Sequence, residues 1–518
     1  MFNAPSFTHS SRLFLFHMVE QSCLLSSFRQ LPVISICGAT GTGKSELATN
    51  LASVFNGEVI NFDALQLYNG LNIATNKIPP DKCLGVPHHL IGIYPPEYGD
   101  KYDVHSYRNI CLPLIDNLRN TKKKLPILVG GTHYYLEAIL WQDFLASKHT
   151  TSDTKDEFDS EVFLNDPMEC YDLLHTLKPD TAKHLHPNNV RRVKRALFDA
   201  LKESKTQTES GEIMNLDKQS LNRSIKPRYP GESLILWLDC ASDVLNSHLD
   251  KRVDTMLSSG LIDELDTFLN QVNVLDSSLA PESNEMSDTH DNIKQTRSKK
   301  LKHLFSEESE SVSDPMVRRG ILQSIGLKEF SEYLALLPGE RGTPEASILF
   351  KQAVENVKTA TRKYARRQVS WIRNRFLRRP VDGSIPVFRI DVTDFLSSES
   401  SDTWNKAIFA SAVRLVYNEL IKLDDRLYEP LKQNTYLNSL LKICPDSCCP
   451  KPELLLLPKP FVKSNNAESP FICSICSGKI FTQLDSWEAH LKSRSHQKRT
   501  AKHNRRLLIE KAMKNLPS

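Results

Sequence analysis

Short uninterrupted apolar runs alternate along the chain with stretches whose apolar residues recur every three or four positions. Val33–Cys37, Glu58–Phe62, Pro126–Val129, Ser233–Asp239 and Pro386–Val392 read as strands. Ile127-Leu128-Val129 and Leu234-Ile235-Leu236-Trp237-Leu238 lack the polar alternation of a half-exposed sheet, so they suit strands covered on both faces. Leu47, Leu51, Val54 and Phe55 mark the buried stripe of one helix. Leu245, Leu249, Val253, Met256, Leu257, Leu261, Leu265 and Phe268 mark one face of another, and a long helix is predicted over Ile348–Phe376. Strands and helices in alternation predict an α/β fold, a parallel sheet sheathed in helices.

The pattern lapses in four places. Residues 1–30 are Ser-rich and acid-poor, with Arg12, Arg29 and the apolar patch Leu13–Phe16. They read equally as a mitochondrial transit peptide and as a disordered tail, and Met18 offers a second start. Residues of about 142–230 carry no strand signal and read as a helical insertion with a loop over 204–230. Residues 271–314 are rich in Ser, Asp, Glu and Asn with Phe305 as the single aromatic, a composition that predicts a disordered insertion. Residues 426–466 contain Pro450, Pro452, Pro458 and Pro460 and read as a linker. The divisions are therefore a core over 31–425, the linker, a small module over 467–506 and a basic tail to 518.

Composition narrows the classes. With 40% hydrophobic and 25% charged residues in 518, the chain is long enough for two or three domains, each with its own core. The net charge of +4 requires any nucleic-acid contact to come from local basic patches. Eleven cysteines, mostly scattered singly, suit a reducing compartment. No run of eighteen apolar residues occurs, so no membrane span is expected.

The first predicted strand ends in Gly38-Ala39-Thr40-Gly41-Thr42-Gly43-Lys44-Ser45, which fits the phosphate-binding P-loop pattern in full. Its glycines let backbone N–H groups turn inward around phosphate oxygens, Lys44 adds a point charge, and Ser45 offers a hydroxyl to Mg²⁺. The phosphates need not belong to a nucleotide. Many P-loop ATPases end a later strand in Asp, whereas Ile127-Leu128-Val129 ends in Gly130-Gly131-Thr132. Asp63 follows the Glu58–Phe62 strand, where ligands bind in such sheets. It reads either as a general base or as the N-cap of a helix. Lys351, Lys358, Arg362, Lys363, Arg366, Arg367, Arg373, Arg375, Arg378 and Arg379 face the single acid Glu355, with Tyr364 and Trp371 interleaved; this reads as a surface for nucleic-acid phosphates or as a solvated helix face. Cys473-x2-Cys476-x13-His490-x5-His496 has the spacing of a structural Zn²⁺ site, followed by Lys498, Arg499, Lys502, Arg505 and Arg506, which read as further RNA contacts or a nuclear-import signal. Cys444, Cys448 and Cys449 lack a fourth ligand at a fitting spacing and read as free thiols.

From about 31 to 420 the chain resembles the tRNA dimethylallyltransferases (tRNA isopentenyltransferases) of eukaryotic form. The resemblance rests on Gly38–Ser45, Val59–Tyr68 with Thr75 and Lys77, Gly85–Leu90, Val129–Tyr135, and Gly320–Gly326 with Lys328-Glu329-Phe330. His186-Pro187-Asn188 and Thr361–Gln368 with Trp371 add to it. It implies a P-loop NTPase-like core that moves a dimethylallyl group from its diphosphate to N6 of the adenosine 3′ to the anticodon. Asp63 then matches the base and Thr132 a channel residue near the reacting atoms. Arg252, with Lys44, Ser45 and Mg²⁺, matches the diphosphate-binding groups. Gly38, Thr40, Gly41, Thr42 and Gly43 complete the cradle. Gln66, Arg191, Arg192, Arg195, Gln323, Arg362, Arg366 and Arg367 match as contacts to the tRNA anticodon stem-loop. His248, Asn189, Ala64 and Ala74 depart from the family pattern. The expectations are a monomer that is mitochondrial, cytoplasmic or both, with nuclear import through the basic tail. Competing readings are an adenylate isopentenyltransferase, a P-loop kinase or ATPase, and a silent RNA-binding protein.

Overall fold

The computed structural model describes residues 31–96, 102–142, 144, 167–182, 185–187, 189–190, 192–194, 196–198, 200–201, 226–271, 301, 320–379, 383–398, 403–424, 434–444, 450–452, 471–476, 479–481, 484–494 and 496–501. The segment 1–30, most of the 271–314 insertion, the loop up to 225 and the tail from 502 lie outside them. The chain divides into two compact units, one of the residues up to Ala146 with Ser224–Leu455, the other of Ser147–Arg223 with Leu456–Ser518.

The first unit is built on six parallel strands: β1 (Val33–Gly38), β2 (Gly57–Asn61), β3 (His88–His89), β4 (Leu125–Val129), β5 (Ser233–Asp239) and β6 (Val387–Asp391). Their order is β3-β2-β4-β1-β5-β6. Five are the strands read from the apolar runs; the two-residue β3 is too short to carry a period. Every residue of β1, β2, β4 and β5 is buried, because helices cover both faces. Successive residues serve opposite layers: Leu234, Leu236 and Leu238 join one core, Ile235 and Trp237 the other.

Helix α1 (Lys44–Val54) follows β1 directly, with Leu47 and Leu51 fully buried in the first layer. Helices α2 (Val104–Asp116) and α3 (His133–Leu140) face the second. The long apolar stripe of 245–268 belongs to two helices rather than one, α4 (Ser242–Ser258) and α5 (Leu261–Gln271). Gly260, at φ +92°, turns the chain between them in a conformation L side chains rarely adopt. The basic helix α6 runs Pro344–Trp371, starting four residues before its predicted first residue. Thr343 caps it by accepting the Ala346 N–H at 3.2 Å, and Pro344 fits its first turn.

Two expectations change. The stretch 426–466 is more than a linker: α8 (Thr435–Ile443) docks against α7 (Ala410–Leu423) and buries Leu437, Leu440 and Leu441 in the first layer. Those three leucines have helical spacing, which the nearby prolines obscure. Leu301, inside the supposed disordered insertion, is helical and buried in the second layer. The second unit holds a small helical core of Cys170, Tyr171, Leu174, Val193 and Leu197. It also holds a ββα module of β7 (Phe471–Cys473), β8 (Lys479–Phe481) and α9 (Leu484–Lys492). No described helix is long and apolar enough to cross a membrane.

Candidate active site

A cavity of about 820 Å³ opens at the C-terminal ends of β1, β2 and β4. Its walls include Thr40, Gly41, Gly43, Lys44 and Ser45 from the P-loop, Asp63 and Gln66 from the turn after β2, and Arg252 from α4. This is where a parallel sheet leaves room for ligands.

The P-loop is held open by its own chemistry. Gly41 and Gly43 both lie at φ +83°. A methyl group on Gly41 would sit 2.8 Å from Leu249 Cδ2 and 3.7 Å from an Arg252 guanidinium nitrogen, which places Arg252 against the loop. On Gly43 it would strike the Trp404 ring at 2.9 Å. Lys44 Nζ donates to Ala39 O at 2.5 Å, and Thr42 Oγ1 donates to the same oxygen at 2.9 Å. Thr42 is thus a buried brace of the loop rather than a wall of the cavity, as is Gly38, where a methyl would meet Leu238 O at 2.5 Å. Burial, then repulsion from Arg252, lowers the Lys44 pKa to about 8, with Asp63 pulling the other way. Burial lowers that of Arg252 to about 10.

Asp63 does not cap a helix. Its Oδ1 accepts the Leu65 N–H at 3.1 Å in a local turn, and Asp63 also receives the Gly131 and Gln66 backbone N–H groups. Desolvation raises its pKa above the ordinary carboxylate range, opposed by those hydrogen bonds and by Lys44. The neighbouring turn shows why β4 ends in two glycines. A methyl on Gly130 would lie 2.7 Å from Asp63 N, and one on Gly131 would lie 3.0 Å from Asp63 Oδ2. The carboxylate that a P-loop ATPase places here has no room. Thr132 Oγ1 accepts the Ala64 N–H at 3.0 Å and meets the Tyr364 hydroxyl. Burial and the nearby Asp63 charge raise the Tyr364 pKa.

The remaining predicted residues separate. Gln66 Nε2 donates to Thr75 O and Asn76 O at 3.0 and 3.1 Å, so it fastens the 71–77 turn. Arg362 Nη1 donates to both carboxylate oxygens of Asp250 on α4, at 2.5 and 2.6 Å. One turn away, Lys358 pairs with Asp254 at 2.8 Å. Arg366 and Arg367 are exposed and line a shallow surface groove with Lys363 and Trp371. Gln323 is exposed and outside the cavity, whose wall takes Ile325 instead. Arg192 is exposed in the second unit, and Arg191 and Arg195 lie outside the described residues.

Three residues make contacts that the pattern did not disclose: Lys77 and Gln368 were named only as parts of matched blocks, and Glu264 not at all. Gln368 is 4% exposed and bonds Thr40 N and Gly131 O. Glu264 accepts the Ile73 and Ala74 N–H groups at 2.8 and 2.9 Å. Lys77 donates to Gly70 O and Asn72 Oδ1, and burial lowers its pKa to about 8. A polar residue on the buried stripe Val357, Tyr364, Ala365, Gln368, Ile372 was the available signal for Gln368.

In the second unit, Cys473, Cys476, His490 and His496 bring one ligand atom each within 4.8 Å of one another. His496 Nδ1 lies 3.6 and 3.5 Å from the two sulfurs. Metal–sulfur bonds of about 2.3 Å and metal–nitrogen bonds of about 2.0–2.1 Å give a tetrahedral edge close to this length. The cluster can hold a metal ion.

Fold and cavity together define a P-loop α/β protein whose phosphate cradle and desolvated carboxylate share one chamber. The chain belongs to the IPP transferase family, whose model matches residues 66–375. It is 32% identical over 487 residues to the tRNA dimethylallyltransferase of Mus musculus, covering 92% of this chain and 87% of that one. It is 29% identical to that of Saccharomyces cerevisiae, covering 92% and 94%. A eukaryotic dimethylallyltransferase captured in crystals acting on tRNA shares the fold, with a TM-score of 0.60 and 27% identity over 93% of this chain and all of the other.

Proposed function

We propose that the protein is a tRNA dimethylallyltransferase that alkylates N6 of the adenosine 3′ to the anticodon. The observation that carries this is the single chamber holding the P-loop and Asp63. The reaction has two substrates, and the chamber has two chemically different ends. At one end the loop N–H groups, Lys44 and Arg252 bind the diphosphate. At the other the Asp63 carboxylate accepts a hydrogen bond from the adenine amino group.

The N6 lone pair attacks the allylic carbon, the carbon–oxygen bond breaks, and the electron pair leaves with the diphosphate. Lys44 and Arg252 stabilise the charge that builds there. Asp63 takes the N6 proton, and desolvation makes it a stronger base than an exposed carboxylate. Thr132 is not itself part of the cavity wall; held by Ala64 and Tyr364, it follows Gly131, which is. Ser45, half-buried in the cavity wall, is the residue that would hold Mg²⁺, which neutralises diphosphate charge when bound. The acceptor base has to leave its stack to enter, which a single-stranded loop allows at low cost.

Exposed Lys363, Arg366 and Arg367 are proposed to meet the tRNA backbone. The Cys/His cluster is proposed to hold structural zinc, and the basic residues after it to extend the RNA surface. The enzyme is proposed to be a monomer in mitochondria or cytoplasm, with the basic tail serving nuclear import; a reporter fused to residues 1–30 that stays cytosolic removes the mitochondrial assignment. The function is tested by transfer of label from dimethylallyl diphosphate to an anticodon stem-loop with consecutive adenosines. Transfer to free AMP and not to RNA would establish the adenylate enzyme instead.

A further inference from the structure

Strands β1 and β4 are neighbours, paired from Ile34↔Ile127 to Ile36↔Val129. Beyond those pairs they diverge into the two halves of the chamber, the P-loop and the Gly130-Gly131-Thr132 turn. No sheet hydrogen bonds hold these two segments at a fixed separation. Gln368 of α6 fills that role. Its Oε1 accepts the Thr40 N–H at 2.7 Å, and its Nε2 donates to Gly131 O at 3.0 Å. Thr40 N can only donate and Gly131 O can only accept, so the amide orientation is fixed by its partners. The side chain acts as an extra peptide unit laid between two backbones, continuing the ladder where the strands have ended.

The contact is tight and bears on both ends of the site. A methyl on Gly131 would come within 2.4 Å of Gln368 Nε2 and 3.0 Å of Asp63 Oδ2. Gly131 also gives its N–H to Asp63. One helical turn earlier, the Tyr364 hydroxyl bonds both Gln368 and Thr132. The Thr40 N–H, committed to Gln368, is not part of the phosphate cradle, which leaves that work to the loop from Gly41 to Ser45.

The geometry points to Gln368 as the positioning residue that sets the distance between the phosphate cradle and the Asp63 turn, and so aligns the two substrates through the two backbones it joins. This rests on the proposed transferase reading. A carboxylate at this position can take the Thr40 N–H but cannot donate to Gly131 O, and a thioether can do neither. Misplacement of bound partners by about 1 Å is enough to cost about a hundredfold in rate.

The test uses the full chain with Gln368→Glu and Gln368→Met, dimethylallyl diphosphate and an anticodon stem-loop. Expected are single-turnover rates reduced about a hundredfold for Gln368→Met and less for Gln368→Glu. The dissociation constants for the RNA and for the diphosphate, each measured alone, should stay within about threefold of the unaltered protein. The Thr40 amide should lose hydrogen-exchange protection in Gln368→Met and keep it in Gln368→Glu. Rates within threefold, or a loss fully accounted for by weaker binding of one substrate, would overturn the assignment. So would Thr40 protection that is unchanged in Gln368→Met, a readout independent of turnover. A chain with an unaltered Gln368 that transfers nothing to RNA would overturn the transferase reading itself, and the exchange result would still decide whether Gln368 holds the loop.

Discussion

Asp63 and Lys44 need opposite protonation states, and burial moves both toward neutrality. Asp63 must be ionised to take a proton, and desolvation holds its pKa above the usual carboxylate value. Lys44 must be charged to meet the diphosphate, and burial first, then Arg252, lowers its pKa to about 8. In kcat/KM, which reports the free enzyme, activity should therefore rise through a pKa higher than that of an exposed Asp and fall above about pH 8. An acid limb at the ordinary Asp value, or no alkaline limb before pH 10, would contradict the assignment. Asp63→Asn keeps the size and removes the base. It should lower the single-turnover rate by about 10²–10⁴ while the diphosphate still binds, as measured by calorimetry.

Within the elements, the charges of α6 divide by face. Arg362 is engaged with Asp250 and Arg367 is exposed. Arg362→Ala should cost about 1 kcal/mol in denaturant unfolding and leave the salt dependence of RNA binding unchanged. Arg367→Ala should leave stability intact and reduce the slope of log K against log salt by about 1. Equal slopes for the two variants would show that the ion pair does not decide which arginine meets RNA. The docked helix Thr435–Ile443 gives a second test. Leu437 is 1% exposed, and Leu437→Ala should destabilise the first unit by about 2–5 kcal/mol, where a linker residue would cost nothing measurable.

These elements also show what a sequence discloses. β1, β4 and β5 were legible because both faces are covered and their apolar runs are unbroken. The P-loop was legible because a phosphate cradle demands adjacent glycines in one short stretch. The break at Gly260 was not, since an apolar stripe continues across it on the next helix. The contacts of Gln368 were hidden for another reason: its partners lie 328 and 237 residues away, and only the packing of α6 on the sheet brings them together. The pairing of Arg362 with Asp250 was not legible, because local charge density says nothing about the acids on a facing helix.

At the scale of the molecule, the two compact units predict separable losses. Chelation of the Cys/His cluster should unfold the ββα module and weaken binding of full-length tRNA, while transfer to a short stem-loop persists. Parallel loss of both activities on chelation would show that the metal supports the chamber as well.

The fastening of the P-loop has a consequence for biosynthesis. Gly38–Ser45 leaves the ribosome before the residues that fasten it: the Thr40 N–H waits for Gln368 and the Gly43 wall waits for Trp404. A nascent chain that has paired β1 with β4 and β5 still lacks both fastenings until Gln368 and Trp404 have emerged. Translation intermediates therefore display the phosphate-binding motif before its separation from the Gly131 turn is set, and a ribosome stalled before residue 368 carries a chain whose two half-sites are not yet fastened to each other.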